Sequence, residues 1–368
     1  MKPARGMNPG DADHLVAALV SGQAPNSDEV ITVWYAESAV GEREITVDQT
    51  NRSVIVGDRA VVKWLLHTDT AGHPAPARLQ ALVDAGFTSM PRPWGLLHQR
   101  DSQTGALKLS AIVTEYLPGT QDGWEWAVAD VRAHVRGEES GALNAPIELG
   151  VLTAQMHVAL SRTGISDATE AQAQSWCAAA GEDLAEAIAL VDGDEGARLR
   201  PLASRIKQCL HPISECVGTP LIDVHGDLHV GQILRTNAPY AYHVTDFDGN
   251  PLQTAVERMQ QQPAARDVAG MLASLDHVGR VVIHRTPDVD AAKVVSWIAM
   301  AQEIFLDNYR DELNRADAGN LLDERLLGPF QVQQECREFV YSVKHLPHWR
   351  YVPDAALPAL LDRLETPA

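Results

Sequence analysis

Three side chains with metal-binding or proton-accepting oxygens lie in the segment 221–249. Asp227 stands in the sequence His-Gly-Asp-Leu-His, Gln232 follows it after a short spacer, and Asp246 lies near the end of the segment. Mg²⁺ prefers oxygen ligands and commonly takes one or two from protein, while phosphates and water supply the rest. A nearby carboxylate that does not bind the metal can take the proton of an attacking hydroxyl. These residues predict a metal–nucleotide site in which Gln232 and Asp246 hold the metal and Asp227 is the base.

A predicted β-hairpin brings these oxygens together. Residues 233–235 and 241–245 have strand character and are joined by Thr-Asn-Ala-Pro-Tyr, a turn-forming sequence. With the turn centred at 238–239, an antiparallel register places Gln232 opposite Asp246. Both should then lie at the open end of the hairpin, beside the loop that carries Asp227.

The composition changes along the chain in a way that indicates an α+β fold. Short β-branched runs separated by Gly and Asp fill the first third, whereas helical periodicity dominates afterwards, for example over 169–191. We expect a β-rich N-terminal lobe over 1–117, made of a cap region (about 1–45) and a nucleotide-binding sheet (about 45–117). Residues 1–29 should be a loosely structured lead-in with one possible short helix at 14–20, and β-branched runs should begin at Val30. A mainly helical C-terminal lobe over 118–368 should carry the catalytic loop, the acceptor site and the embedded hairpin.

The overall charge limits the partners. The chain has 368 residues with 49 acidic side chains against 30 Lys and Arg, a formal net charge of −19, which argues against nucleic acids and anionic membranes. No apolar run approaches the roughly 18 residues needed to cross a bilayer. Four scattered cysteines with no Cys-x-x-Cys pair suggest reduced thiols. We expect a cytoplasmic protein that is a monomer or weak dimer.

The catalytic segment resembles a known family. The string Val-His-Gly-Asp-Leu-His-Val-Gly-Gln-Ile-Leu-Arg over 224–235, with Asp246-Phe-Asp248 and with Arg-Asp-Val-Ala-Gly-Met-Leu over 266–272, is similar to the maltokinase and aminoglycoside-phosphotransferase branch of protein-kinase-like enzymes. The resemblance covers most of residues 45–352. It implies a bilobal protein-kinase-like fold and phosphoryl transfer from ATP, with Mg²⁺ as cofactor.

The same resemblance extends to the nucleotide site of the N-terminal lobe. Asn51 and Ser53 stand in a segment similar to the maltokinase phosphate loop, and Lys63 on the following strand would supply a positive charge to phosphate oxygens. Glu115 and Leu117 lie in a segment similar to the hinge whose backbone binds adenine in this family.

One position departs from the family pattern. Where the family usually has a helix glutamate that pairs with the strand lysine, this chain aligns Ala77. Asp69 or Asp84 would take that role, or it would stay unfilled.

The acceptor is indicated by the C-terminal segment 331–354. As a helix, it carries a narrow polar stripe with Gln331, Glu335 and Glu338, and two carboxylates one turn apart suit a cationic group. In maltokinases the corresponding segment contacts the sugar, and Glu338 and Tyr341 are retained here. The pattern Gln-x-x-x-Glu-Cys-x-Glu followed by His-Leu-Pro-x-Trp-x-Tyr-Val-Pro resembles actinobacterial glucosamine kinases, which implies phosphorylation of the 6-hydroxyl of D-glucosamine to glucosamine 6-phosphate. Trp349 would pack against the sugar ring.

Other functions compete with this interpretation. Within the kinases, a maltokinase or an aminoglycoside phosphotransferase would share the catalytic motifs. The alternation of Asp and His over 223–229 would also suit a two-metal phosphohydrolase, if the segment were a strand. Ala77 leaves open a nucleotide-binding protein without transferase activity. On helical periodicity alone, the stripe with Glu335 and Glu338 is equally compatible with a solvated face.

Overall fold

The computed structural model describes residues 8–45, 51–66, 72–138, 140–237 and 240–366. Their contacts define two compact units. The sheet unit comprises Met1–Gln121 and Leu234–Gln260, and the helical unit comprises Asp122–Ile233 and Gln261–Ala368.

The N-terminal part of the chain is mainly β-structure, as the β-branched runs predicted. Its elements in chain order are α1 (Asp11–Ser21), β1 (Glu29–Val33), β2 (Glu42–Ile45), β3 (Arg52–Val56), β4 (Ala60–Trp64), α2 (Ala75–Asp84), β5 (Pro93–Arg100) and β6 (Leu107–Glu115). Among the described residues these strands form one antiparallel sheet in the order β1-β5-β6-β4-β3-β2.

The rest of the chain is mainly helical, apart from two short strand pairs. Its elements are α3 (Gly123–Val135), α4 (Asn144–Leu160), β7 (Ser166–Asp167), α5 (Glu170–Leu190), α6 (Gly193–Leu199), α7 (Ala203–Leu210), β8 (Pro220–Leu221), β9 (Ile233–Thr236), β10 (Ala241–Val244), α8 (Ala255–Arg258), α9 (Ala265–Arg285), α10 (Ala291–Arg315), α11 (Leu327–His345) and α12 (Tyr351–Glu365). The predicted α+β class is confirmed, with a sheet in one unit and helices in the other. None of the described helices is long and apolar enough to span a bilayer.

The grouping of residues differs from the single boundary predicted at 117/118. The first unit extends to Gln121, and the hairpin segment Leu234–Gln260, expected in the helical lobe, groups with the sheet. Backbone hydrogen bonds explain this: Gln121 and Arg235 bond each other in both directions, and the amide of Val244 donates to the carbonyl of Ser89. Composition could not reveal this grouping, because these partners lie far apart in the sequence. The functional division into lobes stays a prediction.

In the N-terminal region, the possible short helix at 14–20 is present as α1, and the β-branched runs that begin at Val30 and Glu44 correspond to β1 and β2. β1 and β2 are strands of the main sheet, and α1 covers one face of it. The apolar side chains of α1 pack against alternate residues of β3 and β4, including Val54, Val62 and Trp64. Alternation along β4 turns Val61 and Lys63 to the opposite face.

A carboxylate from β2 caps α1. The side chain of Glu42 accepts hydrogen bonds from the backbone amides of Gly10 (2.8 Å), Ala12 (2.7 Å) and Asp13 (3.1 Å). The first amides of a helix have no partner within the helix. A negative charge there also interacts favourably with the positive end of the helix dipole. Glu42 therefore fixes α1 to the edge of the sheet.

We expect Glu42→Gln to loosen α1, because it removes the charge while keeping one acceptor oxygen. A charged cap contributes about 1–2 kcal/mol, or roughly a five- to thirtyfold change in local opening. Hydrogen-exchange mass spectrometry of peptides covering Asp11–Ser21 would measure it. The control Glu44→Gln, which breaks an ion pair with Arg52 on the same side of the sheet, should change exchange of α1 less than about twofold. Equal exchange in both variants would contradict the capping role.

Candidate active site

A cavity of about 340 Å³ lies in the sheet unit between the strands and the segment that follows β10. Apolar side chains form much of its wall, as a purine ring requires. The predicted nucleotide and metal residues that line it are Ser53, Lys63, Glu115, Leu117 and Asp246. Asn51, half-buried just before β3, is not among the lining residues.

The strand register explains why these polar groups meet. Ser53 on β3 is the direct cross-strand partner of Lys63 on β4, which pairs on its other side with Ile112 of β6. The Nζ atom of Lys63 donates to Oδ1 of Asp246 and to Oδ2 of Asp248, both at 2.8 Å. Burial disfavours the charge of Lys63, but the two carboxylates outweigh that effect and raise its pKa. The cavity thus holds a permanent cation between two acids.

The backbone is strained where these acids are presented. Asp246 has φ 64°, in the left-handed region that few residues other than glycine adopt. β9 and β10 pair as the predicted hairpin. β10 ends at Val244, two residues before Asp246. The register that would place Gln232 opposite Asp246 stays a prediction.

Helix α2 does not carry the missing glutamate at any of the positions considered from the sequence. Ala77 is exposed, whereas Ala75 and Leu79 line the cavity. Asp84 is exposed and accepts a hydrogen bond from Gln80 within the helix. Asp69 lies outside the described residues.

The predicted catalytic loop lies in the helical unit and is fixed through its backbone. Asp267, near the start of α9, accepts hydrogen bonds from the amides of His225 (2.6 Å) and Gly226 (2.9 Å). Gly226 has φ 84°, a conformation that glycine adopts without strain. The ring of buried His225 accepts from the amide of Asp227 (3.3 Å). This bonding holds Asp227, the predicted base, in a bent loop.

That loop is not a strand, so the two-metal hydrolase interpretation loses its geometric basis. The backbone of residues 223–229 has no regular extended structure. His225 is completely buried, and Asp223 accepts a hydrogen bond from the hydroxyl of Thr163. The alternating side chains therefore do not form one face of potential ligands.

Two buried polar side chains, His157 and Tyr309, form a hydrogen-bonded chain that ends at Asp267. Nε2 of His157 lies 3.1 Å from Oδ2 of Asp267, and Nδ1 of His157 lies 2.7 Å from the hydroxyl of Tyr309. Burial alone would raise the pKa of Asp267, but hydrogen bonds from His157 and the amide of Gly226 lower it. The carboxylate that holds the loop is thus charged.

Gln232 ends a short 3₁₀ turn that directly follows the loop. The amide of Val230 donates to the hydroxyl of Ser274 on α9, and the ring of His229 accepts from the amide of Gly231. The indole of Trp126 on α3 donates to the carbonyl of Ile233. Contacts from both helices therefore fix the backbone that carries Gln232.

On the polar stripe of α11, Gln331 and Glu335 are buried and Glu338 is half-buried, so this stripe is not a solvated face. Glu335 is 2% exposed, and its Oε1 lies 2.8 Å from Nε2 of His277 on α9. Burial disfavours the charge of His277, but the carboxylate of Glu335 raises the pKa of the imidazole to about 9. Burial raises the pKa of Glu335, and the neighbouring His277 offsets part of that rise. We interpret the pair as imidazolium and carboxylate.

Glu338 and Trp349 lie beside this pair. The indole of Trp349 donates to Oε2 of Glu338 (3.1 Å), and its ring packs edge-on against Trp124 at 5.3 Å and His277 at 6.3 Å. The structure thus brings Glu335, Glu338 and Trp349 into one cluster, which we call the acidic aromatic cluster.

The two remaining acceptor predictions differ in exposure. Gln331 is buried one turn before Glu335. Tyr341 is 40% exposed and contacts the ring of His345. The structure gives no contact of Tyr341 with the acidic aromatic cluster, and its assigned role stays a prediction.

Comparison with known proteins assigns the family. The chain is 52% identical over 366 residues to a glucosamine kinase of Streptacidiphilus jiangxiensis, covering 97% of this chain and 83% of that protein. It is 41% identical to a glucosamine kinase of Mycolicibacterium smegmatis, covering 97% and 90%. The chain belongs to the glucosamine kinase family. No family model matched the chain.

A solved glucosamine kinase has the same fold. A structure described as glucosamine kinase in complex with glucosamine, ADP and inorganic phosphate superimposes with a TM-score of 0.87 at 51% identity, covering 96% of this chain and 83% of that one. The fold and family inferred from the motifs are confirmed.

Two buried residues of this glucosamine kinase family member have contacts that the sequence did not predict. Asp267 stands in the Arg-Asp-Val-Ala string, yet nothing local shows that it bonds to a loop about forty residues earlier. His277 is a titratable residue on the buried face of α9, and that placement within an apolar periodicity is the signal that would have singled it out.

We expect Asp267→Asn to reduce kcat by at least about tenfold. An amide has one acceptor oxygen, so one loop amide loses its partner, at a cost of about 1–3 kcal/mol. ATP-dependent phosphorylation and ADP binding would be measured separately, and ADP affinity should stay within about threefold of wild type.

The control is Asp323→Asn, which removes the charge of another acid of the helical unit that bonds to Thr219 and Arg325. It should lose little activity. A kcat of Asp267→Asn equal to that of this control would show that the carboxylate does not position the loop for catalysis.

Proposed function

We propose that this protein transfers the γ-phosphoryl group of ATP to the 6-hydroxyl of D-glucosamine, giving glucosamine 6-phosphate. The observation that carries the proposal is the 51% identity and common fold with a glucosamine kinase whose structure contains glucosamine, ADP and inorganic phosphate. The local arrangement of acids and cations in this chain agrees with each part of that reaction.

The cavity of the sheet unit is the proposed nucleotide site. Its apolar wall suits adenine, and Glu115 and Leu117 line one side of it. Ser53 and Lys63 would supply polar contacts for phosphates. In a chain of net charge −19, a polyphosphate requires locally concentrated positive charge. Lys63 would provide it in this cavity together with Mg²⁺, because the two acids beside the lysine offset its charge. Asn51 is proposed as a further phosphate contact.

Gln232 and Asp246 are the proposed ligands of Mg²⁺. Their amide and carboxylate oxygens are the donors that this hard cation prefers, so the residues fit the ion. When bound, the ion would neutralise charge on the transferring phosphates. Asp246 is 37% exposed, which leaves its carboxylate accessible from solvent.

Asp227 is the proposed general base. The bonds that Asp267 makes to the preceding residues fix the loop backbone, so the carboxylate of Asp227 has a defined position. A positioned carboxylate orients the acceptor hydroxyl and takes its proton as the phosphoryl group moves.

The acidic aromatic cluster is the proposed amino-sugar site. No hydrogen-bond donor among the described residues reaches Oε2 of Glu335, although the atom is buried. A buried carboxylate oxygen without a donor costs free energy, and an ammonium group would satisfy it. Glu338 adds a second carboxylate, and Trp349 offers the apolar face against which sugar rings pack.

We expect glucosamine to stimulate ATP turnover more than maltose or kanamycin-type aminoglycosides do, and we expect the phosphoryl group to be transferred to the 6-hydroxyl. ADP release over a panel of acceptors and ³¹P NMR of the product would test both points. Asp227→Asn is the control that should lose turnover while it still binds ATP. Turnover only with maltose, or a C1 phosphate, would refute the proposal.

We expect Glu335→Gln and Glu338→Gln to raise KM for glucosamine by about tenfold or more, and KM for glucose by less than about threefold. A charged hydrogen bond is worth about 1.5–3 kcal/mol, and only glucosamine carries the cation. Steady-state kinetics with both sugars would measure the difference. Glu303→Gln, an exposed acid on α10, is the matched control. Equal effects on both sugars would mean that neither carboxylate binds the amine.

A further inference from the structure

The lysine of the nucleotide cavity has no carboxylate partner on α2. The two α2 side chains that line the cavity, Ala75 and Leu79, are apolar. The acid of that helix, Asp84, is exposed and bonded to Gln80. A lysine that binds phosphates needs a fixed position, because its flexible side chain otherwise loses conformational entropy on binding. Another residue must therefore hold Lys63.

Asp248 meets this requirement better than Asp246. Both carboxylates lie 2.8 Å from Nζ of Lys63, but the side chain of Asp248 is 14% exposed and that of Asp246 is 37% exposed. A less hydrated pair is stronger and less screened by salt. Asp246 is also the proposed ligand of the metal, so Asp248 is the partner that stays available to Lys63 in the loaded site.

Helix α2 contributes to this arrangement with a cation. Buried Arg78 donates to the carbonyl of Phe247 (3.0 Å) and to the carbonyl of Arg258 (2.8 Å). Arg258 in turn donates to the carbonyl of Asp248 (3.3 Å). Gly249 has φ 74°, and a Cβ atom there would lie 3.1 Å from Nη1 of Arg78. The backbone at Phe247 is thus fixed directly from α2, and the carbonyl of Asp248 is fixed by Arg258 of α8, whose own carbonyl Arg78 binds.

We propose that Asp248 is the positioning residue for Lys63, in place of a helix carboxylate, and that Arg78 fixes the backbone that presents it. The proposal rests on the nucleotide role of Lys63 proposed above. It assigns the two acids of Asp246-Phe247-Asp248 different tasks: the first binds metal and the second holds the lysine.

The test measures ADP affinity without metal, by calorimetry in EDTA, for Asp248→Asn, Lys63→Met and the double variant. We expect Asp248→Asn to weaken binding about tenfold, as for loss of a hydrogen bond to a charged group. In the Lys63→Met background it should change affinity less than about twofold, because it acts through the lysine. Asp84→Asn, the acid of α2 outside the cavity, is the control and should leave affinity unchanged.

Three outcomes would overturn the proposal. If the effects of Asp248→Asn and Lys63→Met multiply, Asp248 acts independently of the lysine. If Asp248→Asn leaves metal-free affinity unchanged but raises the Mg²⁺ concentration needed for ATP binding, Asp248 is a metal ligand. If Lys63→Met itself leaves ADP affinity unchanged, the proposed phosphate role of Lys63 is wrong, and the proposal falls with it.

A stability measurement keeps the proposal testable if Asp248→Asn alone does not fold. Lys63→Met leaves the Asp248 carboxylate without its cation, so adding Asp248→Asn should raise the melting temperature of Lys63→Met by a few degrees. A further decrease instead would mean that Asp248 has another essential partner, contrary to the proposal.

Discussion

The bond between the Asp267 carboxylate and the loop amides is the constraint on which the helical unit's part of the site depends. His225 and Gly226 donate to it from the loop, and His157 contacts it from α4, all at buried or nearly buried positions. A buried carboxylate is stable only when its oxygens are satisfied, so the loop cannot move without exposing an unpaired charge. The bent conformation that presents Asp227 is therefore the one in which Asp267 is satisfied.

The same constraint recurs at the other acids of the molecule. Asp248 is paired with Lys63 in the sheet unit, and Glu335 is paired with His277 in the helical unit. In each case the buried acid meets one specific donor. Asp267 is satisfied on both oxygens, whereas Glu335 and Asp248 each retain one buried oxygen that no described donor reaches. At Glu335, that oxygen is the one proposed to bind the ammonium group of the sugar.

The sequence predicted what depends on local pattern. Alternation in β4 placed Lys63 on a strand, the run over 169–191 is α5, and the hairpin strands follow from their turn. Motif resemblance supplied the family, which composition could not. The pairs Lys63–Asp248 and His277–Glu335 were not predicted, because their members lie 185 and 58 residues apart and neither pattern nor spacing links them. Sequence separation also explains why the grouping of Leu234–Gln260 with the sheet was not predicted, since its contact partners lie far away in the sequence.

The overall net charge of −19 does not describe the charge inside each candidate site, because these pairs set the charge locally. A uniform acidic field would repel ATP and attract a cationic sugar, but the sheet unit places Lys63 inside the proposed nucleotide cavity with two acids beside it. The acids hold the lysine charged and in place, but one lysine beside two carboxylates carries no net positive charge, so the proposed binding of ATP there also depends on Mg²⁺. In the helical unit, His277 offsets one carboxylate of the Glu335 and Glu338 pair and leaves a net negative cluster. The proposed phosphate contact of Lys63 and the proposed ammonium contacts of Glu335 and Glu338 together match the opposite charges of ATP and an amino sugar.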